Sequence, residues 1–114
     1  MKKYICVKNK FISYHKYENA PQDVCFLKNL HRHLFYVTTK IQVFNDDREL
    51  EFFMVQNNVD KIIDNMNRVM NDNKSCEQMA SFIITELQKL YSTNRYYCVE
   101  VSEDNENSAI VETV

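Results

Sequence analysis

Residues 2–14 are rich in Tyr, Ile, Val and Phe, which predicts a β-strand. A polar stretch holding the single proline, Pro21, predicts a loop over 16–29. Residues 31–44 carry a run of β-branched and aromatic side chains and read as a second, longer strand. Asn45, Asp46 and Asp47 mark a turn, after which ELEFFMV at 49–55 predicts the third strand of a hairpin. The period then changes. Val59, Ile62, Ile63, Met66, Val69 and Met70 recur every three or four residues, as one apolar face of a helix does. Ser75 followed by Gln78 is a capping box. It opens a second helix with Met79, Ala80, Ile83, Ile84, Leu87, Leu90 and Tyr91 on one face. Residues 95–102 and 108–113 predict two closing strands around a turn at EDNEN. Strands grouped before and after a helix pair indicate an α+β domain over 1–114, with both helices on one face of an antiparallel sheet.

Composition narrows the function more than the fold. The 114 residues carry a formal charge of −2, which excludes a nucleic-acid binder working by bulk positive charge, and no nucleic-acid partner is expected. No apolar run approaches the ~20 residues that cross a bilayer, so no membrane partner is expected either. The opening MKKYICVKNK has no apolar core of a signal peptide, which points to the cytoplasm. Glycine is absent altogether. That removes the phosphate-binding loop, the dinucleotide fingerprint and the serine nucleophile elbow. Asparagine is the next most tolerant of left-handed backbone, and Asn45, Asn73, Asn94 and Asn105 are expected at turns. The four cysteines form no CxxC pair and read as reduced thiols, with Cys6, Cys76 and Cys98 expected to pack.

The chain has three histidines: His15, His31 and His33. A spacing of two on a strand puts His31 and His33 on one face, continuing into Phe35, Val37, Ile41 and Val43. His15 ends the first strand, and antiparallel pairing brings the two strand ends together. Three imidazoles with an open fourth position are the ligand pattern of catalytic zinc. Imidazoles also make ordinary hydrogen bonds without any metal, and the spacing alone admits both readings.

Four segments together resemble the 6-pyruvoyltetrahydropterin and 6-carboxytetrahydropterin synthases. They are Phe11, Ser13 and His15 in FISYH; Cys25, His31 and His33 in CFLKNLHRHLF; Ser75 and Glu77 in SCEQMA; and Val99, Val101 and Glu103 in VEVSED. Together they span nearly the whole chain. The resemblance implies a T-fold that assembles into an oligomeric barrel, a trimer or a hexamer. It implies Zn2+ on His15, His31 and His33, Cys25 as catalytic thiol, and Glu103 as the carboxylate that anchors a pterin. The implied reaction is carbon–oxygen lysis of 7,8-dihydroneopterin triphosphate to 6-pyruvoyl- or 6-carboxytetrahydropterin. The sequence departs from the pattern in three places. Arg32 replaces the glycine between the paired histidines, and Val55-Gln56 stand where an Asp-Phe pair is usual. The family's Asp-His dyad falls at Asp72-Asn73, or at Asp64-Asn65 by local similarity, with Asn in place of His either way. A catalytically degenerate pterin or purine binder, or a structural subunit, is therefore the alternative to an active enzyme.

Overall fold

The computed structural model describes residues 1–114. Strands β1 (Lys3–His15) and β2 (His31–Val43) pair antiparallel over their full length, from Lys3 opposite Val43 to His15 opposite His31. Helices α1 (Phe52–Val69) and α2 (Cys76–Tyr91) follow, then β3 (Tyr97–Glu103) and β4 (Asn107–Glu112). The sheet is antiparallel throughout, in the order β1-β2-β3-β4. The 16–30 connection contains a 3₁₀ helix, Gln22–Lys28, where the sequence suggested only loop.

Both helices lie on one face, α1 over β1 and α2 over β3 and β4. That face carries the odd-numbered strand positions, because side chains alternate along a strand. Val7, Phe35, Val37, Ile41, Val99 and Val101 point there and are buried. They meet Val55, Val59, Ile63 and Met66 from α1 and Met79, Ile83 and Leu87 from α2 in a single core. Burying a side chain of this size contributes about 1.5–3 kcal/mol each. The capping box forms as expected: Ser75 Oγ accepts from the Gln78 amide at 3.1 Å, and Gln78 Oε1 accepts from the Ser75 amide at 2.9 Å. Neither helix is long and apolar enough to cross a membrane.

The segment 49–55 is not a strand. Glu51 caps α1, its carboxylate accepting from the amides of Phe53 at 3.0 Å and Met54 at 3.1 Å. Helical geometry then runs from Phe52, and Val55 enters the core one turn before Val59. The aromatic and β-branched content of ELEFFMV favours a strand locally. The apolar stripe beginning at Val55 overrides it, leaving Phe52, Phe53 and Met54 exposed. Left-handed backbone falls at Arg48, Ser92, Asp104 and Asn105, so of the four expected asparagines only Asn105 takes that conformation. Of the three cysteines expected to pack, Cys76 lies against the core, though none is fully buried. Cys6 and Cys25 are exposed, and Cys76 and Cys98 are half-buried.

Candidate metal centre and ligand cavity

The core face of the sheet does not end in apolar residues. Beyond the stacked rings of Phe11 and Phe35, 5.1 Å apart, the same face continues into Ser13, His33, His15 and His31. The register places Ser13 opposite His33 and His15 opposite His31, while Phe35 faces Glu103 at the end of β3. Two strand ends and a third strand's last residue thus converge. The turn between the helices closes over them. The Lys16 amide donates to the Asp72 carbonyl at 2.8 Å, and the Lys74 ammonium donates to the Tyr14 carbonyl at 3.1 Å. Burial holds the Lys74 ammonium below its ordinary pKa, with Asp72 opposing that shift.

The three imidazoles stand edge to face, with ring centres 4.5 Å apart for His15–His31, 5.2 Å for His15–His33 and 5.0 Å for His31–His33. One potential ligand atom from each lies within 4.8 Å of the others. Every Nδ1 faces an oxygen: the Lys74 carbonyl at 3.2 Å for His15, the Asn29 carbonyl at 2.8 Å for His31, and Asp104 Oδ2 at 2.6 Å for His33. A carbonyl or carboxylate can only accept, so each Nδ1 carries the proton and each Nε2 is left as the ligating atom. Outer oxygens that fix the tautomer in this way are the usual second layer of a metal site. The donor set therefore fits a divalent transition metal. Burial, the largest effect on His15, lowers its pKa below the ordinary value, against the opposing pull of Glu103 and the Lys74 carbonyl. His15 is thus neutral at pH 7, the form that can ligate, and its contact with Glu103 is not an ion pair there.

Glu103 approaches two of the rings. Its Oε1 is 3.2 Å from His15 Nε2 and its Oε2 is 3.6 Å from His33 Nε2. Cys76, on the first turn of α2, donates its thiol to Glu103 Oε1 at 3.8 Å. Burial, followed by the negative charges of Glu103 and Glu77, pushes the Cys76 thiol up to about 12. It therefore stays protonated. Asp104 adopts left-handed backbone, φ 54°, and its Oδ1 accepts from the Leu34 amide at 3.0 Å. The hydrogen bonds from His33, first, and from Leu34 hold its carboxyl below the ordinary range.

Part of this cluster borders a cavity of about 490 Å3. His15, His31 and Glu103 line one side, and Ser75, Cys76 and Glu77 at the start of α2 line another. A larger groove of about 730 Å3 runs beside the end of α1 and along α2, but no imidazole or thiol lines it. The smaller cavity is the one lined by imidazole, thiol and Glu103 carboxylate groups. The structure brings together four of the residues singled out from sequence: His15, His31, His33 and Glu103. It does not bring Cys25 to them. Cys25 is exposed on the 3₁₀ helix and absent from the cavity wall, although Leu27 of the same turn is on it. Asp72 is exposed on the interhelical turn, with Asn73 and Lys74 rather than Asp72 lining the cavity. Of the alternative pair, Asp64 is exposed on α1 and Asn65 Oδ1 accepts from Arg68 at 2.6 Å. Cys76 and Asp104 are the site residues that sequence reasoning missed. Their only signal was adjacency to Glu77 and Glu103.

No protein-family model and no curated protein sequence matches the chain. Among solved structures it is similar to the 6-pyruvoyl tetrahydropterin synthase of Plasmodium falciparum, with a TM-score of 0.66 and 18% identity over 98% of each chain. The chain therefore has the T-fold of that synthase over essentially its whole length.

Proposed function

We propose that this chain is a zinc-dependent pterin synthase, a carbon–oxygen lyase acting on 7,8-dihydroneopterin triphosphate. The product is 6-pyruvoyl- or 6-carboxytetrahydropterin. The observation that carries this reading is the cluster of three tautomer-fixed imidazoles beside one carboxylate, with His15, His31 and Glu103 lining a single cavity. At about 490 Å3, the cavity falls within the usual range for small-molecule sites. Three nitrogen ligands suit Zn2+, which when bound supplies Lewis acidity toward a substrate oxygen and its neighbouring C–H bond.

The protein's own groups divide the remaining work. His15, His31 and His33 hold the metal. Glu103 accepts a ring N–H and the exocyclic amino group of a pterin, which stand side by side and match two carboxylate oxygens. Cys76 is a hydrogen-bond donor, not a base, because its thiol stays protonated. Proton transfer is left to Cys25, supported by Asp72. Both stand on segments that border the cavity through their neighbours Leu27, Asn73 and Lys74. The unpaired edges at β1 and β4 suit pairing between copies into a trimeric or hexameric ring.

A second reading has its own support. The exposed Cys25 and the missing dyad histidine favour a protein that keeps metal and pterin binding without turnover. Because Glu103 lines the cavity, this alternative is a binder rather than a scaffold. The deciding assay follows triphosphate release from 7,8-dihydroneopterin triphosphate by zinc-loaded protein. Release that disappears in Cys25→Ala supports the synthase. Tight pterin binding with no release supports the binder.

A further inference from the structure

Tyr17 has a fixed backbone and a free ring. Its amide donates to the Leu27 carbonyl at 2.7 Å, and its carbonyl accepts from the Ala20 amide at 3.1 Å. The residues on either side of it are pinned to the interhelical turn. The Lys16 amide donates to the Asp72 carbonyl at 2.8 Å, and the Glu18 amide to Asn73 Oδ1 at 3.0 Å. The side chain carried on this framework stays 47% exposed. The chain's paired rings are Tyr4 with Tyr96, Phe11 with Phe35, and the histidine cluster; Tyr17 joins none of them. An exposed aromatic residue by itself means little. Its place is what sets Tyr17 apart. Of the exposed aromatic side chains, it alone lines the cavity that Glu103 borders. Leu27, its backbone partner, lines that cavity too. Cys76 aside, every other wall residue ends in nitrogen or oxygen.

We propose that Tyr17 reads the face of the bound ring: its phenol stacks on a planar heterocycle whose edge Glu103 holds, and Leu27 completes the contact. The proposal rests on the pterin reading and adds a requirement for planarity to it. A carboxylate accepts any pair of adjacent N–H donors, including those of a urea or an acyclic amidine. A flat ring that gives its edge to Glu103 still has two faces, which gain from aromatic and apolar surface and lose against unpaired polar groups. Tyr17 and Leu27 supply that surface in an otherwise polar wall. Edge and face together select a fused, flat heterocycle with a paired-donor edge. Because the backbone of Tyr17 is tied down in advance, little ordering is needed when the ring binds.

The test is titration calorimetry on the full zinc-loaded chain with two probes, 7,8-dihydroneopterin and guanosine. Both carry adjacent N–H and amino donors on a flat ring. Tyr17→Ala is expected to weaken binding about tenfold, the order of loss typical when an aromatic side chain is removed from a stacked base. Tyr17→Phe keeps the ring and should bind as the unaltered protein does. Zinc affinity, measured by chelator competition, should be equal in all three proteins, because Tyr17 is not one of the three ligands. Circular dichroism checks the fold of each variant. Unchanged probe affinity in Tyr17→Ala would overturn the proposal and leave the pterin reading standing. Equal losses in Tyr17→Phe and Tyr17→Ala would overturn it by tracing the effect to the hydroxyl, and a parallel loss of zinc affinity would do so by showing that the change is structural. If the unaltered protein binds guanosine and not 7,8-dihydroneopterin, the pterin reading fails, while a tenfold loss of guanosine binding in Tyr17→Ala still supports the stacking role. Binding of neither probe would overturn both.

Discussion

Asp104→Asn offers a sharp test of how the metal ligands are held. Asp104 is not one of the proposed metal ligands; it grips His33 Nδ1 at 2.6 Å and the Leu34 amide at 3.0 Å. The first bond fixes the proton on Nδ1 and aims Nε2 into the cluster. Loss of such an outer-layer partner typically weakens metal binding 10–100-fold, on the order of that range. Two features place Asp104 at its lower end. Its side chain is 44% exposed, so water competes for the imidazole, and asparagine keeps a weaker oxygen acceptor. The expected loss is therefore about tenfold. The fold should be untouched, because asparagine tolerates the left-handed backbone that residue 104 adopts. Chelator competition measures the affinity, and thermal melting of the metal-free protein checks the fold. Metal affinity within twofold of the unaltered protein, with an unchanged melting curve, would refute the claim that Asp104 fixes the ligand.

Other predictions concern the core, pH and thiols. Leu87 is fully buried between α2 and the sheet, and Leu87→Ala should lower stability by about 2–5 kcal/mol in chemical denaturation. The pKa of His15 is lower in the folded protein than in the unfolded chain, so below the ordinary value of 6.5 the unfolded state binds the additional proton. Metal-free protein should lose stability as pH falls from 6.5 toward the folded-state pKa of His15, and His15→Gln should flatten that dependence in thermal melts. A neutral alkylating reagent should label Cys25 and Cys6 readily and Cys76 slowest, because the Cys76 thiolate is strongly disfavoured. Rapid labelling of Cys76 would contradict its role as a protonated donor to Glu103.

The sequence revealed the parts of this site that depend on strand periodicity. Histidines two apart on a strand share a face, and antiparallel pairing brought His15 opposite His31. The face itself was readable from the apolar positions after His33. The helix pair and its capping box were legible because each rests on spacing within one element. The start of α1 was not, because ELEFFMV satisfies a local preference for strand that only the core packing of Val55 overrides. Cys76 and Asp104 were hidden for a different reason. Their roles depend on where α2 begins relative to β3, and on left-handed backbone just after Glu103. Neither is a property of spacing. Cys25 was assigned by resemblance alone, and its exposure on the 3₁₀ helix shows how little a matched residue says about where its side chain sits.

Everything proposed for this site depends on a metal ion held by His15, His31 and His33. Anomalous diffraction at the zinc absorption edge, from crystals grown with Zn2+ and without chelator, addresses it directly. One peak per chain is expected, about 2.0–2.1 Å from the Nε2 atom of each imidazole. Crystals with no peak among the three rings, and His15, His31 and His33 making only hydrogen bonds, would contradict it.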